Sequence, residues 1–375
     1  MKTNKICHIT TAHQPFDDRI FHKECKTLAK NGYRVFLIAQ HNNCEVIEGV
    51  HIIPLPIAKN RMQRITIFPI KALLKAIKLK ADIYHFHDPE LIPIGVILKL
   101  IKRKIVIYDV HENYSKQILS KYYLPKKYRK IMSKIYKNIE FYSSLLFNGI
   151  ITATDDILSN FYYHNNAVSA RNFPILGYLP SRNKFKKEKH DEFIIIYVGG
   201  IFEERGIIQT INALELIDIP YKVQLYLYGK FDPPELERKA KNLKGFKKVI
   251  YKGYVEYRKI PLILEKADAG IACLLPLPNY FAAFPNKLGE YMMAGIPVIA
   301  SNFPLWKEIV EGNECGICVD PTKPEEIARA VKYLIDYPEE SRRMGENGRK
   351  AVLEKYNWEI ESKKLLKLYN KLLNI

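Results

Sequence analysis

Acidic residues are scarce in this sequence: 40 Asp and Glu stand against 59 Lys and Arg, a formal net charge of +19 over 375 residues. Such an imbalance asks for an acidic partner or surface, whether nucleic acid, anionic lipid or phosphorylated small molecules. No D-x-D occurs, so the acidic pair that could hold a divalent ion on a diphosphate is missing. No G-x-x-x-x-G-K-[ST] loop occurs either, which argues against a nucleoside triphosphatase, and no H-E-x-x-H, which argues against a zinc peptidase. Long apolar runs are absent too. The longest, Leu91 to Ile101, is broken by Pro93, Gly95 and Lys99, well short of the roughly 18 residues that a spanning helix needs. The opening MKTNKICHIT lacks the apolar core and cleavage site of an export signal, so a cytoplasmic chain is expected. The six cysteines are too dispersed for a disulfide framework, and the one close pair, Cys315 and Cys318 in CGIC, reads as a turn entering a strand.

What is present is alternation. The runs KICHIT, YRVFLIAQ, GVHIIPL, DIYHFH, KIVIYDV and GIITAT are separated by amphipathic or loop sequence, a pattern that implies a parallel sheet covered by helices on both faces. A polar, aperiodic stretch follows, and the alternation restarts with FIIIYVGG, VQLYLYG, VIYKG, AGIACL, PVIAS and CGICVDP. The length exceeds what one core usually fills. Two α/β doubly wound domains are therefore expected, over residues 1–175 and 192–355, with 176–191 as a linker. Residues 356–375 form an amphipathic helix expected to pack back on the first domain.

In open parallel sheets ligands bind beyond the carboxyl ends of the strands. After the first strand comes TTAHQPFDDRIFHKE, with His13, Asp17, Arg19 and His22; later come HFHDPEL, with His87 and Asp88, and YDVHENY, with Asp109 and His111. Such density of titratable groups points to proton handling or hydrogen bonding to a hydroxyl-rich substrate. A second reading stays open, in which Asp17 or Asp18 caps a helix and Arg19 pairs with Glu24. In YVGGIFEERGIIQTI, Gly199, Gly200 and Gly206 do not fit the dinucleotide fingerprint, yet glycines at a strand end beside Arg205 suit a diphosphate. In FPNKLGEYMMAGIPVIAS, Asn286 and Lys287 open a helix whose free amides suit phosphate oxygens, and Glu290, one turn on, could accept two bonds from a vicinal diol such as ribose.

Taken together, HQPFDDRIFHKE, HFHDPEL, YDVHENY, RNFP, YVGG, ERG, PNKLGEYMMAG and the terminal YNWE helix resemble the retaining glycosyltransferases of family 4, over essentially the whole chain. The DRIF and HDPEL loops resemble a subgroup that builds cell-surface polysaccharide. That family has the GT-B architecture, two facing Rossmann-like domains with a cleft between them. The resemblance implies that Glu290 holds the ribose of a UDP- or GDP-linked sugar donor, with Gly253 beside the base. Arg205, Lys287, Asn286 and Gly200 would bind the diphosphate without a metal or other cofactor. His111 matches a histidine near the reacting sugar, and Glu290 stands with it as a catalytic candidate. His13, Asp17, Arg19, His87 and Asp88 would lie on the acceptor side, where a lipid-linked or polysaccharide acceptor binds. Two departures stand out. The first acid of the family's E-x7-E is Ala282 here, and an Arg common in the family is Gly200.

The basic stretch Ser120 to Asn138 interleaves Lys121, Lys126, Lys127, Arg129, Lys130, Lys134 and Lys137 with tyrosines and aliphatics, as a helix on an anionic bilayer would. Peripheral association at the inner membrane face, through Lys121 to Lys137, is the expectation. Two other functions share some of these features: a sugar-nucleotide epimerase of the same fold, and a basic nucleic-acid-binding protein. No nucleic-acid-binding motif is present, and the aromatics form no stacking platform, so nucleic acid is not expected as a partner.

Overall fold

The computed structural model describes residues 3–119, 125–178, 192–256, 259–278 and 280–374. The chain divides into two compact units, Met1–Asn172 with Glu359–Ile375, and Phe173–Trp358. From residue 179 onward the expected linker lies outside the described residues.

The first unit is built on an eight-stranded sheet: β1 (Lys5–Ile9), β2 (Arg34–Gln40), β3 (Glu45–Ile47), β4 (Val50–Leu55), β5 (Ile83–Phe86), β6 (Ile105–Val110), β7 (Gly149–Thr152) and β8 (Ala167–Ser169), in the order β3-β4-β2-β1-β5-β6-β7-β8. All neighbours are parallel except the β3–β4 hairpin. From β1 the chain steps out to β2 and β4, then returns to β5 on the other side of β1. The order thus reverses between β1 and β5, the place where such sheets open a crevice. A π-helical segment, Asp18–Cys25, runs into α1 (Lys26–Lys30) between β1 and β2; α2 (Arg61–Leu79), α3 (Ile92–Leu100), α4 (Tyr114–Leu119), α5 (Lys126–Ser144) and α6 (Asp155–Leu158) make the later connections.

Alternation along the central strands separates two very different sheet faces. Cys7, Ile9, Tyr84, Phe86, Tyr108 and Val110 point into an apolar core shared with Ala72, Ala76, Ile94 and Leu98 of α2 and α3. The intervening residues His8, Thr10, His85, His87 and Asp109 are equally buried, and they meet Arg19 and Glu24 of the π-helical segment. One face of this sheet is hydrocarbon, and the other carries a dry polar layer toward the carboxyl ends of β1, β5 and β6, beyond apolar Ile6, Ile83 and Ile107.

The second unit has six parallel strands, β9 (Glu192–Val198), β10 (Lys222–Tyr228), β11 (Val249–Gly253), β12 (Ala269–Ala272), β13 (Val298–Ser301) and β14 (Gly316–Val319), ordered β11-β10-β9-β12-β13-β14. Its reversal lies between β9 and β12. Helices α7 (Ile207–Glu215), α8 (Pro234–Lys241), α9 (Ile260–Leu264), α10 (Asn286–Ala294), α11 (Pro304–Val310), α12 (Pro324–Asp336) and α13 (Pro338–Glu354) connect the strands, and α14 (Trp358–Leu373) ends the chain. Here both sheet faces are apolar, with Ile195, Tyr197, Leu225 and Leu227 on one side and Ile196, Val198, Leu288 and Met292 on the other. The architecture is that of two α/β doubly wound units. Cys315 and Cys318 are free thiols, and burial pushes both pKa values up to about 12, which removes the thiolate that redox chemistry needs.

Candidate functional site

At the reversal point of the first unit, the loops after β1, β5 and β6 lie side by side because those strands are neighbours. Asp109, wholly buried at the end of β6, organises them. It accepts a forked pair from Arg19, Nε to Oδ2 at 2.9 Å and Nη2 to Oδ1 at 2.7 Å. His111 Nε2 lies 2.8 Å and His87 Nδ1 3.1 Å from Oδ2. Burial alone would raise this carboxyl, but the Arg19 guanidinium and the two histidines hold its pKa well below the carboxylate range. As an acceptor with no proton of its own, Asp109 takes the Nε2–H of His111 and leaves Nδ1 for the outside. His111 is 11 % exposed at its side chain.

Arg19, expected on the acceptor side, is instead 4 % exposed, and its remaining donor Nη1 goes to the carbonyl of Ala170 at 2.6 Å. It lies 3.2 Å from Glu24 and is an internal strut. His87 and Asp88 are likewise buried. Asp88 Oδ2 accepts from Thr10 Oγ1 at 2.9 Å and from the amides of Thr11 and Ala12, so it shapes the β1 loop from beneath. Acceptor contact was expected of all three because their loops were legible and their depth was not. Asp17 caps the π-helical segment, taking the amides of Arg19 and Ile20, and holds His13 at 3.2 Å. His13 and Asp17 keep about a quarter of their side chains exposed. With His111 they form the accessible part of this half-site. Burial would lower the His13 pKa, but the Asp17 hydrogen bond and the charges of Asp88, Asp17 and Asp109 raise it.

The second unit offers a different arrangement. Lys287, on the first turn of α10, is buried, with its Nζ 3.6 Å from the centre of the Tyr197 ring and no hydrogen-bond partner among the described residues. Tyr197 ends β9, and its hydroxyl donates to the Gly200 carbonyl at 2.7 Å. This bond holds the glycine loop beside the lysine. Gly199 has φ +126°, and a Cβ there would sit 3.6 Å from Lys287 Nζ. Burial pushes the Lys287 pKa well below the usual lysine value; Arg205 adds to the shift and Glu290 opposes it. Arg205 leans on the Tyr280 ring at 5.2 Å with its Nε unpartnered. The turn between Arg205 and α7 requires Gly206, where φ is +69° and a Cβ would meet the Cys273 carbonyl at 1.8 Å. Helix α10 is preceded by Pro285 at its N-cap position, which makes no side-chain capping bond. Glu290, 7 % exposed, lies one turn further along. Gly253 ends β11 with φ +69° and open space around it. Lys287, Arg205, Gly199 and Gly200 are thus brought together at one reversal point, with Asn286 and Glu290 on the adjoining helix. The structure neither fills nor removes the place left by Ala282, which precedes a carbonyl, Ala283, bonded to Trp306 Nε1.

Sequence reading missed His8 as a member of the polar layer and Tyr197 beside Lys287, and it had Glu24 only as an alternative pair for Arg19 and His85 only as part of the HFHDPEL loop. A signal existed for the histidines, since His8 and His85 interrupt otherwise apolar strand runs and face one another in register.

Comparison with known proteins agrees with this layout. The family model described as Glycosyltransferase Family 4 matches residues 18–162, and that described as Glycosyl transferases group 1 matches residues 181–351. The MMP alpha-(1→4)-mannosyltransferase of Mycolicibacterium hassiacum is 26 % identical over 170 residues, 44 % of this chain and 40 % of that protein. The matched stretches span 40 to 46 % of the length of three such curated relatives. Among solved structures, sucrose-phosphate synthase of Thermosynechococcus elongatus superposes with a TM-score of 0.78 at 20 % identity, covering 99 % of both chains. Anabaena HepE in complex with UDP-glucose superposes with a TM-score of 0.73 at 14 % identity over 99 % of this chain and 100 % of that one. With one model on each unit and the GT-B fold throughout, the chain belongs to the GT-B glycosyltransferases of family 4.

Proposed function

We propose that this protein transfers a hexose-type sugar from a UDP- or GDP-linked donor to a lipid-linked or polysaccharide acceptor, with retention of configuration. The observation that carries the reading is Lys287, a buried amine whose Nζ has no hydrogen-bond partner among the described residues, beside a glycine loop and Arg205. A buried amine with no hydrogen-bonded acid among the described residues is costly to charge. A diphosphate supplies the missing charge and moves the depressed lysine pKa back toward its usual value. When the bond from the anomeric carbon to the phosphate oxygen breaks, negative charge grows on the leaving diphosphate. Lys287, Arg205 and the α10 amides stabilise it in place of a metal. The acceptor oxygen then bonds to the anomeric carbon on the same face, and its proton passes to the departing phosphate. Glu290 takes the ribose diol, and His111, aimed by Asp109, stands beside the sugar. That HepE was solved with UDP-glucose supports a nucleotide sugar as the donor.

Helix α5 supports a peripheral membrane location. Tyr128, Ile131, Met132, Ile135 and Ile139 are between 45 and 60 % exposed, in the same turns as exposed Lys127, Lys130, Lys134 and Lys137. The upstream part of the expected basic surface, Lys121 to Leu124, lies outside the described residues. No helix among the described residues is long and apolar enough to cross a membrane. A donor screen scoring nucleotide release from UDP- and GDP-sugars, with and without lipid-linked acceptors, tests the reaction. Release with none of them, or kinetics unchanged in both Glu290→Ala and His111→Ala, would sink the proposal. The membrane part fails if neutralising Lys126, Lys127, Arg129 and Lys130 leaves pelleting with anionic vesicles intact.

A further inference from the structure

The dry polar layer of the first unit contains more donor atoms than the positioning of His111 requires. His8 on β1 and His85 on β5 are cross-strand partners, His87 follows on the same face, and Glu24 descends from the π-helical segment. All four are 0 % exposed. One ligand-type atom from each lies within 4.8 Å of the others. His8 Nδ1 is 3.0 Å from His87 Nε2, and Glu24 Oε2 is 3.9 Å from His8 Nδ1 and 3.8 Å from His85 Nδ1. A tetrahedral ion with arms of about 2.0–2.1 Å separates its ligands by roughly 3.3–3.4 Å. The observed separations bracket that spacing.

Two further observations favour a cation here over a set of ordinary hydrogen bonds. No described group donates a hydrogen bond to either oxygen of Glu24, its nearest cation, Arg19 Nε at 3.2 Å, already donates to Asp109, and burial with the adjoining Asp109 carboxyl raises its pKa well above the usual range. A buried carboxylate without donors demands a positive partner or a proton. His87 gives its Nδ1–H to Asp109, which turns the Nε2 lone pair toward the cluster, the carboxylate–histidine pairing that commonly orients metal ligands.

We propose that His8, Glu24, His85 and His87 form a buried structural site for a divalent transition-metal ion, with zinc the best match to three imidazoles and one carboxylate. Four protein donors close the coordination sphere, so the ion would tie β1, β5 and the π-helical segment together and take no part in the transfer reaction. At His85 the ion would displace a neutral contact, the Tyr369 hydroxyl 2.7 Å from Nδ1. Sequence spacing conceals such a site because its donors come from three separate elements.

The test is elemental analysis of the full chain, expressed without a polyhistidine tag in zinc-supplemented or cobalt-supplemented medium and dialysed against a chelator. The expected result is about one equivalent of metal per chain, with the visible bands of four-coordinate cobalt and no thiolate charge-transfer band. Glu24→Gln and His8→Gln should each lower metal affinity by about tenfold or more, while the Cys315→Ser/Cys318→Ser variant should keep the full equivalent. Should the buried variants fail to fold, the wild-type content, its cobalt spectrum and the cysteine variant still decide. Metal below about a tenth of an equivalent in the wild type, a thiolate band, or metal lost with the cysteines would overturn the site.

Discussion

The two reversal points handle buried charge in opposite ways. In the first unit Arg19 is wholly engaged, with a forked carboxylate in Asp109 and the Ala170 carbonyl. In the second, Lys287 is almost as deeply buried and its Nζ hydrogen-bonds to none of the described residues. A buried cation with its partner in the fold positions other groups, whereas one without a partner is poised for a partner from outside. Depth alone does not separate the two roles. The hydrogen-bond inventory does.

Breaking the satisfied side should cost most. Asp109→Ala strands the Arg19 guanidinium in a dry site, and urea unfolding should show a loss of about 3–5 kcal/mol; a loss under about 1 kcal/mol would erase the contrast. On the unsatisfied side Lys287→Met should leave urea stability equal or higher while lowering turnover by roughly 10²–10³-fold. If the same substitution destabilised the fold like the first, Lys287 would be a structural cation too. A smaller effect sharpens the point through pH. Because the folded pKa of Lys287 is depressed, the unfolded chain holds a proton that the folded chain releases. Stability should therefore rise with pH between the folded value and about 10.5, by at most about 1.4 kcal/mol per unit. A diphosphate that draws the proton back should bind more weakly as pH rises through that window. Calorimetry in buffers of different ionisation enthalpy would detect the proton uptake, and Lys287→Met should abolish it. The least effect belongs to charges that never leave water. Glu203→Gln removes an exposed ion pair with Lys239 and should change stability by under about 1 kcal/mol.

The sequence disclosed the long parallel strands and the loops at their ends, because period-two burial and glycine punctuation are local. It did not disclose β3 and β8, three residues each, which are too short for alternation to register. Lys287, Arg205 and Glu290 were legible as a group because the strand-to-helix turns that carry them lie at sheet positions a doubly wound fold makes adjacent. The fate of Arg19 was not, since its partner Asp109 is 90 residues away and nothing in DDRIF marks it. The alternative reading of that loop, with Asp17 as a cap and Arg19 beside Glu24, matches the geometry found. A dense run of titratable side chains signals a polar environment, and only tertiary pairing shows whether it faces inward or out.

Helix α5 has one acid, Glu140, and that acid is turned inward, where it accepts from the Tyr108 and Tyr136 hydroxyls at 3.2 and 2.9 Å. The formal charge of the helix and the charge it presents are therefore different quantities. To any polyanion the segment is a lysine ladder with no interruption. Replacing Glu140 by glutamine would alter how the helix is seated on its own sheet and leave its outward electrostatic signature almost untouched.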